Sequence, residues 1–440
     1  MISVEPRDVR KVLSSHILAD GFEPVIDLEK SHGSWIVDAR DGREYLDLFS
    51  MFASMPLGYN HPRIVEARER LAAAALNKPT NSDVYSTQMA EFVETFFRVA
   101  VSGRFTHAFF IEGGALAVEN ALKAAFDWKV KKNLRKKENG ERGSKVIHFR
   151  DCFHGRSGYT LSLTNTWDRR KTAYFPKFDW PRIVNPRVTF PLTEEHRREV
   201  ESVETEAENQ IHRAIEQYGH DIACLIIEPI QGEGGDNHFR GKFLRRLREI
   251  CDENEILLIF DEIQTGFGLT GKMWAYEHFD AVPDLLCFGK KTQVCGFVAG
   301  ERIDEVENNV FRESARINST WGGNLTDMVR ATIYLEIMEE EKILDRVTVS
   351  GSYLMEKLQS IQEDYPGLVS NVRGRGLMCA FDLPDPSLRD RTKDAVLKQG
   401  AFILGSGDRS IRFRPPLNIS LREIDAGTDM VRKALDSVKP

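Results

Sequence analysis

The sequence predicts an α/β protein: a large domain with a mostly parallel sheet covered by helices, plus a smaller α+β domain drawn from both chain ends. Two observations carry this. From about Gln88 onward, short β-rich apolar runs alternate with longer segments of helical composition, the pattern of buried parallel strands joined by crossover helices. At 440 residues the chain also exceeds the size at which one hydrophobic core keeps growing, so a second unit is expected. The expected division is an amino-terminal segment of the smaller domain at 1–62, the large domain at 63–324 and the rest of the smaller domain at 325–440.

Taken in order, Trp35-Ile36-Val37 and the run from Tyr45 to Phe49 flank the turn Asp41-Gly42-Arg43, which signals a hairpin, and a helix is expected after Pro62. Strands are expected at 107–111, 145–149, 222–227, 256–260 and 285–288, with helices at 117–136, 194–218 and 240–254. Beyond Asn324 two long helical patterns lead to apolar runs at 376–383 and 401–404. The basic run 129–137 lies on a helical pattern and is expected to form a solvated face. No internal repeat or low-complexity linker interrupts the chain.

Hydrophobic residues at 41% and charged residues at 29% place the chain among ordinary globular proteins and away from disorder. A net charge of −7 gives no reason to expect nucleic acid or an acidic membrane surface as a partner. The six cysteines are scattered without a CxxC pair, so neither a metal site nor a disulfide frame is expected. With no charged-then-apolar leader and no apolar run near the ~20 residues of a membrane helix, a cytoplasmic location is expected.

Ligands in folds of this kind sit beyond the carboxyl ends of the strands, and four such ends carry unusual polar groups. At Glu112-Gly113-Gly114-Ala115 small residues open a helix and let backbone N–H groups approach a phosphate, although the same residues suit a plain strand-to-helix turn. At Phe153-His154-Gly155-Arg156 a ring could stack on a flat cofactor and Arg156 could grip a carboxylate; a core Phe and a surface Arg are the alternative. The run Leu257-Leu258-Ile259-Phe260 ends abruptly in Asp261-Glu262, and carboxylates after a buried run call for a cation. A protonated ring nitrogen would answer; a Walker-type magnesium is the weaker option, since no GxxxxGK[ST] loop exists in the chain. Finally, Leu285-Leu286-Cys287-Phe288 ends in Gly289-Lys290-Lys291, and an ammonium there is costly enough to lower its pKa toward that of a Schiff-base amine.

With these pieces in this order, and with Glu228-Pro229-Ile230-Gln231-Gly232-Glu233-Gly234-Gly235 between the second and third, the chain resembles the class III aminotransferases over nearly its whole length. These are enzymes of fold type I that use pyridoxal 5′-phosphate. The resemblance implies that Lys290, the sixth residue after Asp284, holds the cofactor as a Schiff base while Lys291 does not. It implies that Asp261 pairs with the pyridine nitrogen, Gln264 with the phenolic oxygen, Phe153 with the ring face, and that Ile263 packs beneath. The phosphate is expected on Gly114 and Ala115, aided by Thr320 of the partner subunit, which makes the unit at least a homodimer with shared sites.

Two departures from the family pattern, Gly268-Leu269-Thr270-Gly271 and Thr292-Gln293-Val294-Cys295-Gly296, change the expected pocket near the cofactor. The second of these, read from Phe288, and Met55 to Pro62 resemble the branch of the family that acts on the ε-amine of L-lysine. That branch implies L-lysine and 2-oxoglutarate as substrates, with 2-aminoadipate 6-semialdehyde and L-glutamate as products. Arg412 aligns with the family's arginine for the carboxylate beside the reacting carbon, Glu233 with the glutamate that neutralises it, and Arg156 is expected on the distal carboxylate. The alternatives are ornithine or 4-aminobutyrate as donor, an amine mutase using the same cofactor, and a silent structural relative.

Overall fold

The alternation read from the sequence folds into one seven-stranded sheet in a computed structural model that describes residues 3–101, 103–137 and 140–439. An amino-terminal hairpin consists of β1 (Trp35–Val37) and β2 (Glu44–Asp47), in antiparallel register with Trp35 opposite Leu46. The large sheet then takes β3 (His107–Ile111), β4 (Lys145–Phe149), β5 (Arg182–Ile183), β6 (Ile222–Ile227), β7 (Leu257–Asp261), β8 (Leu285–Phe288) and β9 (Cys295–Ala299). Its spatial order is β3-β9-β8-β7-β6-β4-β5. Four of the five expected strands occupy the expected residues, and the fifth is displaced by one, so that Asp261 is itself the last residue of β7.

Burial on both faces explains the continuous apolar runs. Leu225, Ile227, Leu258, Phe260, Leu286 and Phe288 point into one core. Their neighbours Ala223, Ile226, Leu257, Ile259, Leu285 and Cys287 point into the other. Helix α1 (Gly114–Arg135) covers the second core through Val118, Ala121, Leu122, Ala125 and Trp128. Helix α2 (Glu194–Tyr218), as expected, and α3 (Gly241–Glu253) cover the first, α3 through Phe243, Leu244, Leu247 and Ile250.

One strand was not expected and one expectation needs correction. Strand β9, antiparallel to both β3 and β8, is the unexpected strand; its first two residues, Cys295 and Gly296, belong to the 292–296 departure. Its Gly296 is required by crowding, since a Cβ there would lie 2.1 Å from the Phe109 carbonyl oxygen. The basic run at 129–137 is a solvated face only toward its end, where residues 134–137 are exposed. Lys129 is 1% exposed, donates to the Glu255 carbonyl at 2.7 Å, and is pulled by burial to about 8. Lys132 and Lys136 close on the Glu255 carboxylate, so these helix cations converge on one acidic partner across the chain.

The helix after Pro62 forms as two short pieces, Pro62–Glu66 and Arg68–Ala75. After Asn324 the two expected helices are Leu325–Glu340 and Ile343–Asp364. A four-stranded sheet follows, whose members include β10 (Met378–Asp382) and β11 (Ser410–Phe413). The pair Ala401–Phe402 adds to β2 in parallel, with Ala401 opposite Leu46, which ties the two ends of the chain together.

Candidate active site

Beyond the carboxyl ends of β3, β4, β7 and β8 lies a cavity of about 630 Å³. Gly114, Ala115, Phe153, Arg156, Asp261, Ile263, Gln264 and Lys290 all line it, so the four strand ends singled out in the sequence meet at one place. Lys290 leaves β8 in left-handed backbone, with φ of 53°. Burial, reinforced by the charge of Arg412, pulls its pKa down to about 8 against the opposing charge of Glu233. Lys291 points elsewhere: it is buried and donates to the Ala53 carbonyl at 3.0 Å. Asp284, whose spacing marked Lys290, takes no part in the cavity. Its carboxylate accepts from the Leu258 amide at 2.7 Å and from Arg248 at 2.9 Å, pinning the other end of the strands.

The adjacent acids at the end of β7 part company. Asp261 faces the cavity, with Oδ1 accepting from the Ile263 amide at 3.1 Å and Oδ2 2.7 Å from His154 Nδ1. Glu262 turns back and accepts from the Ala275 and Tyr276 amides at 2.6 and 2.8 Å, and burial raises it to about 7. His154 was not singled out from the sequence. Its burial opposes a charge, but the neighbouring Cys152 sulfur and the Asp261 carboxylate outweigh that and raise its pKa well above the usual value. His154 Nδ1 and the Ile263 amide together hold the Asp261 carboxylate in its orientation toward the cavity. Glu228, also missed, is raised to about 7 by burial and accepts from the Phe153 amide at 2.9 Å and the Gly232 amide at 3.0 Å, fixing the aromatic wall.

The donor set fits pyridoxal phosphate. Helix α1 opens at Gly114 with no side-chain cap, leaving its first amides and the positive end of its dipole for a phosphate. Gln264 Oε1 accepts from Arg414 at 3.2 Å, which turns its amide NH₂ toward an acceptor such as a phenolic oxygen. Gly232 leaves room for this amide, because a Cβ there would lie 2.1 Å from Gln264 Oε1 and push the side chain from this position. Ile263 and Phe153 supply apolar walls, Asp261 a carboxylate for a ring nitrogen, and Lys290 an amine that is uncharged above about pH 8.

The expected substrate residues are placed unevenly. Arg156 is exposed at the cavity wall, without a hydrogen bond or ion pair among the described residues. Arg412, on β11, is 4% exposed, and its Nη1 lies 3.0 Å from Glu233 Oε2. Glu233 Oε1 is meanwhile 2.5 Å from Lys171 Nζ, a residue of the Arg169–Lys171 turn with no sequence signal of its own. Burial alone would raise Glu233, and the charges of Arg412 and Lys171 hold it below its usual value instead. Thr320 is exposed and does not line the cavity of its own chain. Gln293 and Cys295, of the stretch expected to change the pocket, line the wall, and Ser54, Met55 and Asp327 complete it without having been assigned to it; Ser54, Met55 and Gln293 come from loops whose approach depends on the tertiary fold.

The family model described as aminotransferase class-III matches residues 18–435. The chain is 53% identical over 436 residues, 98% of its length and 96% of the relative's, to an L-lysine-epsilon aminotransferase of Mycobacterium tuberculosis. It is similar to a solved structure of lysine aminotransferase from M. tuberculosis in the internal aldimine form, with a TM-score of 0.97 at 53% identity, covering 99% of this chain and 100% of that one. An amine transaminase from an uncultivated Pseudomonas species, solved in its PLP-bound form, is similar with a TM-score of 0.84 at 25% identity, covering 96% and 98%.

Proposed function

The chain belongs to the class-III aminotransferases, and from that membership we propose that it transfers the ε-amino group of L-lysine to 2-oxoglutarate, yielding 2-aminoadipate 6-semialdehyde and L-glutamate. Pyridoxal 5′-phosphate is its cofactor, and when bound it supplies an electrophilic aldehyde and an electron sink for negative charge at the substrate carbon. Of the residues that line the cavity, Gly114 and Ala115 would hold the phosphate, Asp261 would keep a proton at the ring nitrogen, Gln264 would donate to the phenolic oxygen, and Phe153 and Ile263 would give the ring its apolar walls. Lys290 Nζ takes the proton from the substrate's ε-carbon in the first half-reaction and delivers one to the reacting carbon of the keto acid in the second, work suited to an amine whose pKa is about 8.

The observation that carries the choice of substrates is the Glu233–Arg412 pair. 2-Oxoglutarate brings a carboxylate beside its reacting carbon and L-lysine brings none beside its ε-carbon. A buried guanidinium left without a counter-charge is costly, so Glu233 covers Arg412 while L-lysine is bound and turns aside for the keto acid. Arg156 holds the distal carboxylate of either substrate. The 53% identity to an L-lysine-epsilon aminotransferase supports the same reading.

The active unit in this reading is a homodimer in which Thr320 of each chain serves the partner's phosphate site. Its exposure and its absence from its own cavity wall support that, as do the exposed Leu76, Val84 and Tyr85 near the exposed Trp321, whose carbonyl accepts from the Asn81 amide. Six unpaired cysteines suit a reducing cytoplasm, and among the described residues no helix is long and apolar enough to cross a membrane.

The test is an amine panel with 2-oxoglutarate, measuring glutamate and trapping the aldehyde. L-Lysine is expected to exceed ornithine and 4-aminobutyrate; glutamate formed from either of those and not from L-lysine overturns the assignment. Arg412→Ala is expected to lose on the order of 100-fold in kcat/KM for 2-oxoglutarate, about 3 kcal/mol of carboxylate recognition.

A further inference from the structure

Glu233 is held by two cations that grip it differently. Lys171 Nζ makes an aligned hydrogen bond to Oε1 at 2.5 Å. Arg412 Nη1, although 3.0 Å from Oε2, makes no aligned hydrogen bond, and Arg412 Nε has no partner among the described residues. The carboxylate is therefore anchored on Lys171 and only leans on Arg412. Their settings also differ. Arg412 is buried in a strand, with Ala380 of β10 on one side and Leu404 on the other, and cannot follow a moving carboxylate. Lys171 stands on a short exposed turn, with its side chain 22% exposed and its ammonium 5.8 Å above the Phe153 ring that walls the cavity.

We propose that Lys171 is a positioning residue that keeps Glu233 anchored while it uncovers Arg412, and so sets the balance between substrates that carry a carboxylate beside the reacting carbon and those that do not. This rests on the reading above, in which Glu233 yields Arg412 to the acceptor. Charge counting supports it. With the acceptor's carboxylate on Arg412, two carboxylates face two cations as long as Lys171 is present, and only one cation without it. With Lys171 the acceptor displaces one poorly aligned contact, because Oε1 stays paired throughout. Without it, Glu233 is free to turn both oxygens onto Arg412 in a bidentate pair, the stronger arrangement, and the acceptor must break it. The ε-amine of L-lysine places no charge at this spot, so its half-reaction proceeds with Glu233 in either hold.

The test separates the half-reactions on the holoenzyme by single-turnover absorbance, with L-lysine in one arm and L-glutamate, which carries the proximal carboxylate, in the other. Lys171→Met is expected to weaken the concentration dependence of the L-glutamate arm, and the KM for 2-oxoglutarate, on the order of tenfold, while the L-lysine arm moves less than about twofold. Lys171→Arg, which restores a cation, is expected to recover most of the loss. In a Glu233→Gln background Lys171→Met is expected to add nothing, because it acts through Glu233. An equal loss in both arms with a lowered melting temperature would make Lys171 a structural residue and overturn the proposal. The same tenfold effect persisting in Glu233→Gln would make it a direct substrate contact and overturn it too. Failure of the L-lysine assignment shows separately, as a wild-type enzyme with a normal L-glutamate arm and no L-lysine arm.

Discussion

A lysine held in an enclosed site carries a stability cost that its chemistry makes use of. The pKa of Lys290 falls from 10.5 to about 8, through burial first and Arg412 second. At about 1.4 kcal/mol per pH unit that difference amounts to about 3 kcal/mol, an upper limit because water can enter the cavity of the apoprotein. The sign follows from proton counting. Between about pH 8 and 10.5 the unfolded chain keeps a proton on this lysine that the folded chain has lost, so stability rises with pH across that window. Below pH 8 both states are protonated and the full cost is present. In the apoprotein, Lys290→Met is therefore expected to be stabilising at pH 7 by up to about 3 kcal/mol, with the gain fading from pH 8 to 10.5. Urea denaturation of both proteins at three pH values checks this; a gain that does not depend on pH would assign the effect to packing. Lys290 was legible because strand, glycine and spacing from Asp284 lie within a few residues of one another. His154 was not, because its partner Asp261 is 107 residues away and nothing local distinguishes a histidine aimed at a carboxylate from one in a core.

At the scale of elements, the least expected feature is the turn Ser50–Ala53, in which four consecutive residues other than glycine adopt φ of 41°, 50°, 60° and 66°. Left-handed helical backbone costs roughly 1–2 kcal/mol per residue for such side chains, so other contacts must hold it. Asp47 supplies one set: its Oδ1 accepts from the Phe49 and Ser50 amides at 3.0 and 2.6 Å, while the Tyr59 hydroxyl donates to Oδ2 at 3.0 Å. The stretch after Lys290 supplies the other, Lys291 Nζ donating to the Ala53 carbonyl and Gln293 Nε2 to that of Ser54 at 2.8 Å. The sequence marked residues 292–296 as a departure from the family pattern. In the structure Gln293 of that stretch, together with Lys291 beside it, braces the turn that brings Ser54 and Met55 to the cavity wall. Lys291→Met is expected to leave the Ala53 carbonyl unpaired in a buried place, a cost of about 1–3 kcal/mol that is offset in part by removing an amine whose pKa burial holds well below its usual value. By loosening the wall it is also expected to raise the KM for the amine more than it lowers kcat. Steady-state kinetics with chemical denaturation test both parts, and a variant with native stability and unchanged KM would remove the bracing role. Helices and central strands were legible because their periodicity is local. A left-handed turn without glycine leaves no such mark, since half of what holds it comes from groups more than 200 residues away.

The whole molecule joins its ends through the parallel pairing of Ala401–Phe402 with β2, which supports the proposed division into a large domain at 63–324 and a smaller one from 1–62 and 325–440. No local pattern could announce that pairing, because its two members lie some 350 residues apart. Each cavity has Lys290, Asp261 and the opening of α1 from its own chain, yet Thr320 is not part of its wall. If Thr320 completes the phosphate site of the partner, two inactive chains can repair one another. A Lys290→Ala chain lacks the amine but offers an intact Thr320, and a Thr320→Arg chain keeps the amine but blocks the phosphate site it serves. In a mixed dimer, one site receives Lys290 and Thr320 both intact and the other receives neither. With random pairing, half of the dimers are mixed and each has one working site of two, so about a quarter of wild-type activity is expected after co-expression with separate tags. Thr320 acting within its own chain gives no working site in any pairing, and the mixture would stay as inactive as its parents.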